Sequence, residues 1–344
     1  MTTPENAGGR LRAYFEFVLA VLYFFFARSL AHLGSQGLVQ GDWNPLVEQA
    51  MLVFLLIVGY ASMGFWFDRE PQPIGGQGFP KREGMRAEFG MGVATGWSMA
   101  VVCVLPMVVF GGISVVFSGD LASWEWLPAD IAFFALAALA EEAAFRGYAF
   151  QRFIRALGPV GASIGFAAYY ALVLALIPGS TRASFFVSLA MGLLLSAAYL
   201  RTRALWLGWG LNFGWKASRA VLFGLAVNGD STHSHVIQSD PMGSYRLTGG
   251  AFGLDGSWLA FAVALAFIPV LFRITRDLDF KYNAPVLAPA GVPVDIDAAA
   301  RAQHEAAMGS AAGAAPAAPA LVQIASAPAP QAGQEPGSGE AGQP

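Results

Sequence analysis

Apolar residues run along this chain in long unbroken blocks divided by short polar breaks. The pattern predicts helices that cross a bilayer, a task that takes about 20 mostly apolar residues. Such blocks lie near 14–33, 49–68, 90–117, 126–145, 162–178, 183–200, 204–227 and 256–274. They are rich in Leu, Ala and Phe and lack period-two alternation, so helices are expected and strands are not. The expected fold class is all-α, a polytopic membrane protein with about eight transmembrane helices. Only Pro178-Gly179-Ser180-Thr181-Arg182 divides two of the blocks, which predicts a tight helical hairpin.

The basic residues then assign the sides. Arg10 and Arg12 precede the first block, and Arg69, Lys81, Arg82 and Arg86 follow the second. Arg146, Arg152, Arg155, Arg201 and Arg203 lie in later breaks, and Arg273, Arg276, Lys281 and Arg301 follow the last block. All of these fall on one side if each block spans, against only Arg182 and Arg246 on the other. Cytoplasmic loops collect Lys and Arg, so the expectation is a multi-pass cell-membrane protein with both termini in the cytoplasm.

Composition narrows the class further. Charged residues make up 12% of the 344, against roughly 25% in a soluble domain, which excludes an ordinary soluble enzyme. A net charge of −3 leaves no basic surface for phosphates, so no nucleic-acid partner is expected. The single cysteine, Cys103, lies in an apolar run and excludes a disulfide framework. After Tyr282 there is no aromatic residue and the composition turns to Ala, Pro, Gly and Gln. Such a segment cannot offset its ordering entropy, so 284–344 reads as a disordered tail.

Ionisable groups at membrane depth cost a few kcal/mol each and therefore mark function. Here they include Glu141, Glu142, Lys216 and Arg219, with Arg146 at an interface. Glu142 and Arg146 stand at i and i+4 in the favourable acidic-then-basic order. The stretch Glu141-Glu142-Ala143-Ala144-Phe145-Arg146 reads either as a helix end with an interfacial ion pair or as a buried carboxylate pair suited to holding a metal or activating a water. His233 and His235 form an HxH pair in a polar loop, which reads as solvated.

The block EEAAFRGYAFQRF resembles the EExxxR motif, continued as FRG, of the CPBP family. That family comprises type II CAAX prenyl endopeptidases and bacteriocin-processing (Abi) proteins. Tyr199-Leu200-Arg201-Thr202-Arg203-Ala204-Leu205-Trp206 is similar to a second family turn. The resemblance covers about 126–220 and implies an intramembrane metallo-endopeptidase core. It divides the chain into 1–125 (N-terminal transmembrane helices and a basic loop), the core at 126–220, 221–283 (an outside loop and last transmembrane helix) and the tail. It implies catalytic roles for Glu141 and Glu142, with Arg146 in support. It also implies two histidines on later helices, and those positions depart from the pattern. The first reads Tyr170 or Leu174 depending on register; the second pair reads Asn212 and Lys216.

No histidine lies between 33 and 232, and a zinc-like ion ordinarily takes three or more ligands, usually with imidazole among them. The implied metal site therefore reads as degraded, and no cofactor is assigned. Asn212, Lys216 and Arg219 share one helix face, and Lys216 is expected to form an ion pair with Glu141 or Glu142 where a metal would sit. Three readings follow: a degenerate endopeptidase that binds a membrane-embedded or lipidated peptide or partner, an active CAAX-type endopeptidase with Glu141 as general base, or a small-molecule or ion carrier. The bilayer is a partner in all three.

Overall fold

The computed structural model describes residues 7–110, 112–229, 234, 236–282, 300, 301 and 303–305. The helices are α1 (Ala7–Leu38), α2 (Asn44–Asp68), the short α3 (Pro73–Gly76), α4 (Met85–Val109), α5 (Leu121–Arg146), α6 (Tyr148–Ala175), α7 (Arg182–Thr202) and α8 (Trp206–Ala217). A π-helical turn, Ser218–Leu222, continues α8. Then come the one-turn α9 (Tyr245–Thr248), two 3-10 turns, α10 (Trp258–Ile274) and α11 (Arg276–Tyr282). Of the segment expected as a tail, residues 300, 301 and 303–305 are helical, and the rest lies outside the described residues.

Local chemistry sets the helix ends. Pro45 sits in the first turn of α2, where a missing N–H costs nothing. Asp120 caps α5 by accepting from the Ser123 backbone N–H at 2.9 Å. Hydrogen bonds from the Ser118 hydroxyl and from Ser123 hold its carboxyl down at about 2. Thr181 and Ser184 form a reciprocal capping box at the start of α7. Thr181→Ala removes half of that box and is expected to cost about 1 kcal/mol, read as a lower midpoint in thermal unfolding. In α6, Gly158 has φ of +80° and is followed by Pro159, so the chain breaks there into a segment 148–157 and a longer helix.

Three sequence expectations change. The apolar block 90–117 does not continue as helix: α4 stops at Val109, and Ile113–Phe117 forms strand β1, paired antiparallel with β2 (Ile237–Pro241). Pro106 and Gly112 end the helical preference, and the β-branched Val115 and Val116 fit a strand. The block 204–227 becomes a 12-residue α8 and a π-turn, because its distal part turns to bury Arg219. Between the blocks 126–145 and 162–178 the chain stays helical except at Gly147 and Gly158.

Among the described residues, five stretches are long and apolar enough to cross a membrane, or six if the 59° bent pair α10 and α11 counts as one, and Leu121–Ala175 enters as a single 55-residue stretch. The chain is an all-α polytopic membrane protein with a minor two-stranded ribbon. Large apolar side chains such as Phe15, Leu22, Phe54 and Leu105 point outward, as lipid contact requires.

Inside, the closest helix contact is α4 against α8. A Cβ at Gly92 or Gly96 would lie 2.3 or 2.2 Å from the backbone oxygens of Leu207 and Leu211, and one at Gly210 or Gly214 would lie 2.1 or 2.4 Å from those of Phe89 and Val93. Both helices carry glycine at a spacing of four, the small-residue pattern that lets backbones touch in membranes. Around this seam α5 packs on α2 and α8, and α6 and α7 pair with one another.

Candidate functional site

The acidic pair sits near the end of α5, and the chain must turn immediately after Arg146. Gly147 makes the turn with ψ of −132°, and a Cβ there would lie 2.3 Å from the Ala143 carbonyl oxygen. The glycine after Phe145-Arg146 is thus a steric requirement in this chain. Reversal at that point lets α6 return beside α5 and brings Tyr170 toward the carboxylates.

Adjacent residues on a helix point about 100° apart, and the two glutamates accordingly meet different partners. Glu141 accepts from Lys216 Nζ at 2.6 Å through Oε1. Its Oε2 accepts from Asn212 Nδ2 at 2.9 Å and from the Tyr170 hydroxyl at 3.0 Å. Glu142 and Arg146 are fully buried, with Arg146 Nη1 3.3 Å from Glu142 Oε1. Arg146 also donates to the Gly192 carbonyl at 3.4 Å and lies 4.7 Å over the Tyr170 ring. The motif is therefore no interfacial ion pair at an exposed helix end: Glu142 and Arg146 are buried groups.

Each residue singled out in the sequence can now be placed. Glu141, Tyr170, Asn212 and Lys216 converge on one point, and Glu142 with Arg146 forms a second pair beside it. Leu174 makes no polar contact and lines a small cavity together with Tyr170, Asn212, Trp215, Lys216 and Arg219. The centre of a water-sized sphere fits in about 10 Å³ of it, room for about one water. Tyr169 stays outside the network, its buried hydroxyl having no hydrogen-bond partner among the described residues. His233 and His235 lie outside the described residues.

Two participants were missed. Asp255, just before α10, pairs with Arg219 Nη1 at 2.5 Å and accepts from Trp215 Nε1 at 3.2 Å. The signal was available, since an arginine at membrane depth on α8 demands an acid. Gly208 is the other: a Cβ there would lie 2.5 Å from Glu142 Oε2, so the carboxylate rests directly on the α8 backbone. Gly208→Ala is expected to displace that carboxylate and cost about 1 kcal/mol. Adding Glu142→Asp, which shortens the acid, should recover part of the loss in thermal melts. Equal melts for the single and double variants would show that the two residues do not press on one another.

The donor set does not fit a divalent cation. One oxygen of Glu141 faces an ammonium and the other faces two hydrogen donors, so a metal at that carboxylate would meet positive charge and hydrogens. Among the described residues, Glu142 Oε2 and Asn212 Oδ1 are buried acceptors without a hydrogen-bond partner; two oxygens fall short of the ligand number that such ions take. No group of three His, Cys, Asp or Glu suited to a metal occurs among the described residues.

Residues 123–218 match the family model described as Type II CAAX prenyl endopeptidase Rce1-like. No curated protein and no solved structure matches the chain. The matched segment runs from the start of α5 to the end of α8 and so contains every residue of the Glu141 cluster. Over that segment, less than a third of the chain, the protein is similar to the type II CAAX prenyl endopeptidases of the Rce1-like family.

Proposed function

We propose that this protein is a degenerate intramembrane endopeptidase, one that keeps the CPBP core and uses it to hold a membrane-embedded or lipidated peptide, or a partner helix, without cutting it. We place it in the cell membrane with both termini cytoplasmic, on the distribution of Lys and Arg. The observation that carries the reading is the 2.6 Å contact between Lys216 and Glu141. A general base needs a lone pair free to take a proton from water. In Glu141 the donors Lys216, Asn212 and Tyr170 take three of roughly four lone-pair sites, and the oxygen that keeps one faces an ammonium. The ammonium stands where a hydrolytic site would carry its electrophile.

The retained Glu142–Arg146 pair favours a second reading, an active CAAX-type endopeptidase with Glu141 as general base. One experiment separates the two. Purified full-length protein in detergent is assayed for metal content and for cleavage and binding of lipidated and unlipidated peptides, beside Glu141→Gln. The expected result is no stoichiometric metal, no cleavage above the variant's background, and saturable peptide binding. Bound metal together with cleavage abolished by Glu141→Gln would establish the active enzyme instead.

A further inference from the structure

A second charged cluster lies away from Glu141, where the first residues of α1, the last residues of α2 and the start of α6 meet. Two acids form its floor: Glu16 is 4% exposed, and the Asp68 side chain 14%. Arg152, also 4% exposed, lies over them, with Nη2 2.6 Å from Asp68 and Nη1 3.6 Å from Glu16. It is further held 4.3 Å over the Tyr148 ring. Two more arginines reach the same acids from outside. Arg155 Nη1 is 3.2 Å from Asp68, and Arg12 Nε is 2.7 Å from Glu16. Arg12 also donates to the Phe67 carbonyl. The order is layered, with acids inside and guanidinium groups outward: the Arg155 side chain is 45% exposed and that of Arg12 61%.

Each guanidinium carries five N–H donors, and the contact of Arg155 with Asp68 and those of Arg12 with Glu16 and Phe67 use only part of that set. Exposed Arg10 and Arg69 adjoin the cluster in sequence, as does the acid Glu70. Five cations thus stand against three acids, a surplus of positive charge on the outer layer. Arg152 and Arg155 are held on the short helical segment 148–157, bounded by breaks at Gly147 and Gly158, so their placement is fixed rather than that of a floppy loop.

The same three helices present bare apolar surface beside these cations. Phe15 is 65% exposed one turn after Arg12, Trp66 is 77% exposed two residues before Asp68, and Val160 is 71% exposed five residues after Arg155. A ligand that satisfies both halves has an anionic head and apolar tails. We propose that this arginine-rich end of α1, α2 and α6 binds the phosphate of an anionic phospholipid, with the acyl chains lying on the neighbouring apolar face. Free phosphate would meet the cations alone and leave the apolar half unused. Charge complementarity of this kind is worth a fold-change of several per cation near a membrane surface.

The test uses full-length protein in detergent, with phosphatidylglycerol, phosphatidylcholine and inorganic phosphate as probes. Retention is read by native mass spectrometry and by the shift in melting temperature. Wild type should retain phosphatidylglycerol over phosphatidylcholine, and Arg12→Gln/Arg155→Gln should lose at least about tenfold of that preference. Arg246→Gln, outside the cluster, should keep it. Should the double variant fold poorly, Arg155→Gln alone, at a half-exposed side chain, is expected to lose part of the preference with its melting in phosphatidylcholine unchanged. Equal retention of the two lipids by wild type, or preference undiminished in either variant, would overturn the proposal. So would phosphate competing as well as the lipid, which would make the cluster a phosphate site.

Discussion

Lys216→Leu is expected to lower stability by about 3 kcal/mol, the lower end of what breaking a buried ion pair costs. The change removes the ammonium together with its hydrogen bond and shortens the side chain while keeping it apolar, so most of the loss reports what Glu141 suffers without a counter-ion. The lower end applies because the Glu141 side chain retains 21% exposure while that of Lys216 has 7%. The control is the second substitution. In Lys216→Leu/Glu141→Gln the charge is removed from both sides, and the amide oxygen still accepts from Asn212 and Tyr170, so most of the loss should return. In Lys216→Leu/Glu142→Gln it should not, because Glu142 is paired with Arg146 instead. Unfolding of wild type, Lys216→Leu, Glu141→Gln and Lys216→Leu/Glu141→Gln in detergent completes the cycle. Additive losses in the Glu141 double variant would show that Lys216 and Glu141 are neighbours without being a coupled pair.

The seam between α4 and α8 should be even less forgiving for the size of the change. Gly210→Ala adds one methyl, placed 2.1 Å from the Phe89 carbonyl oxygen, and Gly96→Ala places one 2.2 Å from that of Leu211. Alanine in a helix is otherwise favoured over glycine by about 1 kcal/mol, so any loss reports the clash. The obstacle in each case is backbone, which cannot rotate away, and α8 must separate from α4. Overpacking of this kind costs about 1–3 kcal/mol, and here it also shifts the helix that carries Asn212 and Lys216. Gly90→Ala is the matched control on the same helix, since a Cβ there meets nothing within 4 Å. Its melting temperature should hold or rise while those of Gly96→Ala and Gly210→Ala fall. If all three behave alike, the glycine seam does not set the helix separation.

These two predictions sit on opposite sides of what the chain announces in one dimension. The glutamates, Arg146 and Lys216 were legible because charge in an apolar run is conspicuous and costly. Which glutamate met the lysine was not legible, because a 100° step between neighbours becomes a choice only when α8 has a fixed position. That position depends on Gly92, Gly96, Gly210 and Gly214, four residues whose importance is the absence of a side chain. Asp255 was overlooked for a similar reason: the acid that Arg219 requires stands 36 positions later and arrives through a long loop.

By itself the sequence determined that the protein lives in a membrane, that its elements are helices, and that one group of its buried charges lies near the end of α5 and along α8. Hydrophobic length and the cost of burying charge are local properties, and they can be read residue by residue. The tertiary structure alone decided where α4 ends and the β1–β2 ribbon begins, how far α8 runs, and which ion pairs form. Those outcomes turn on contacts between segments distant in the chain, where a methyl group or an ångström of helix separation changes the partner.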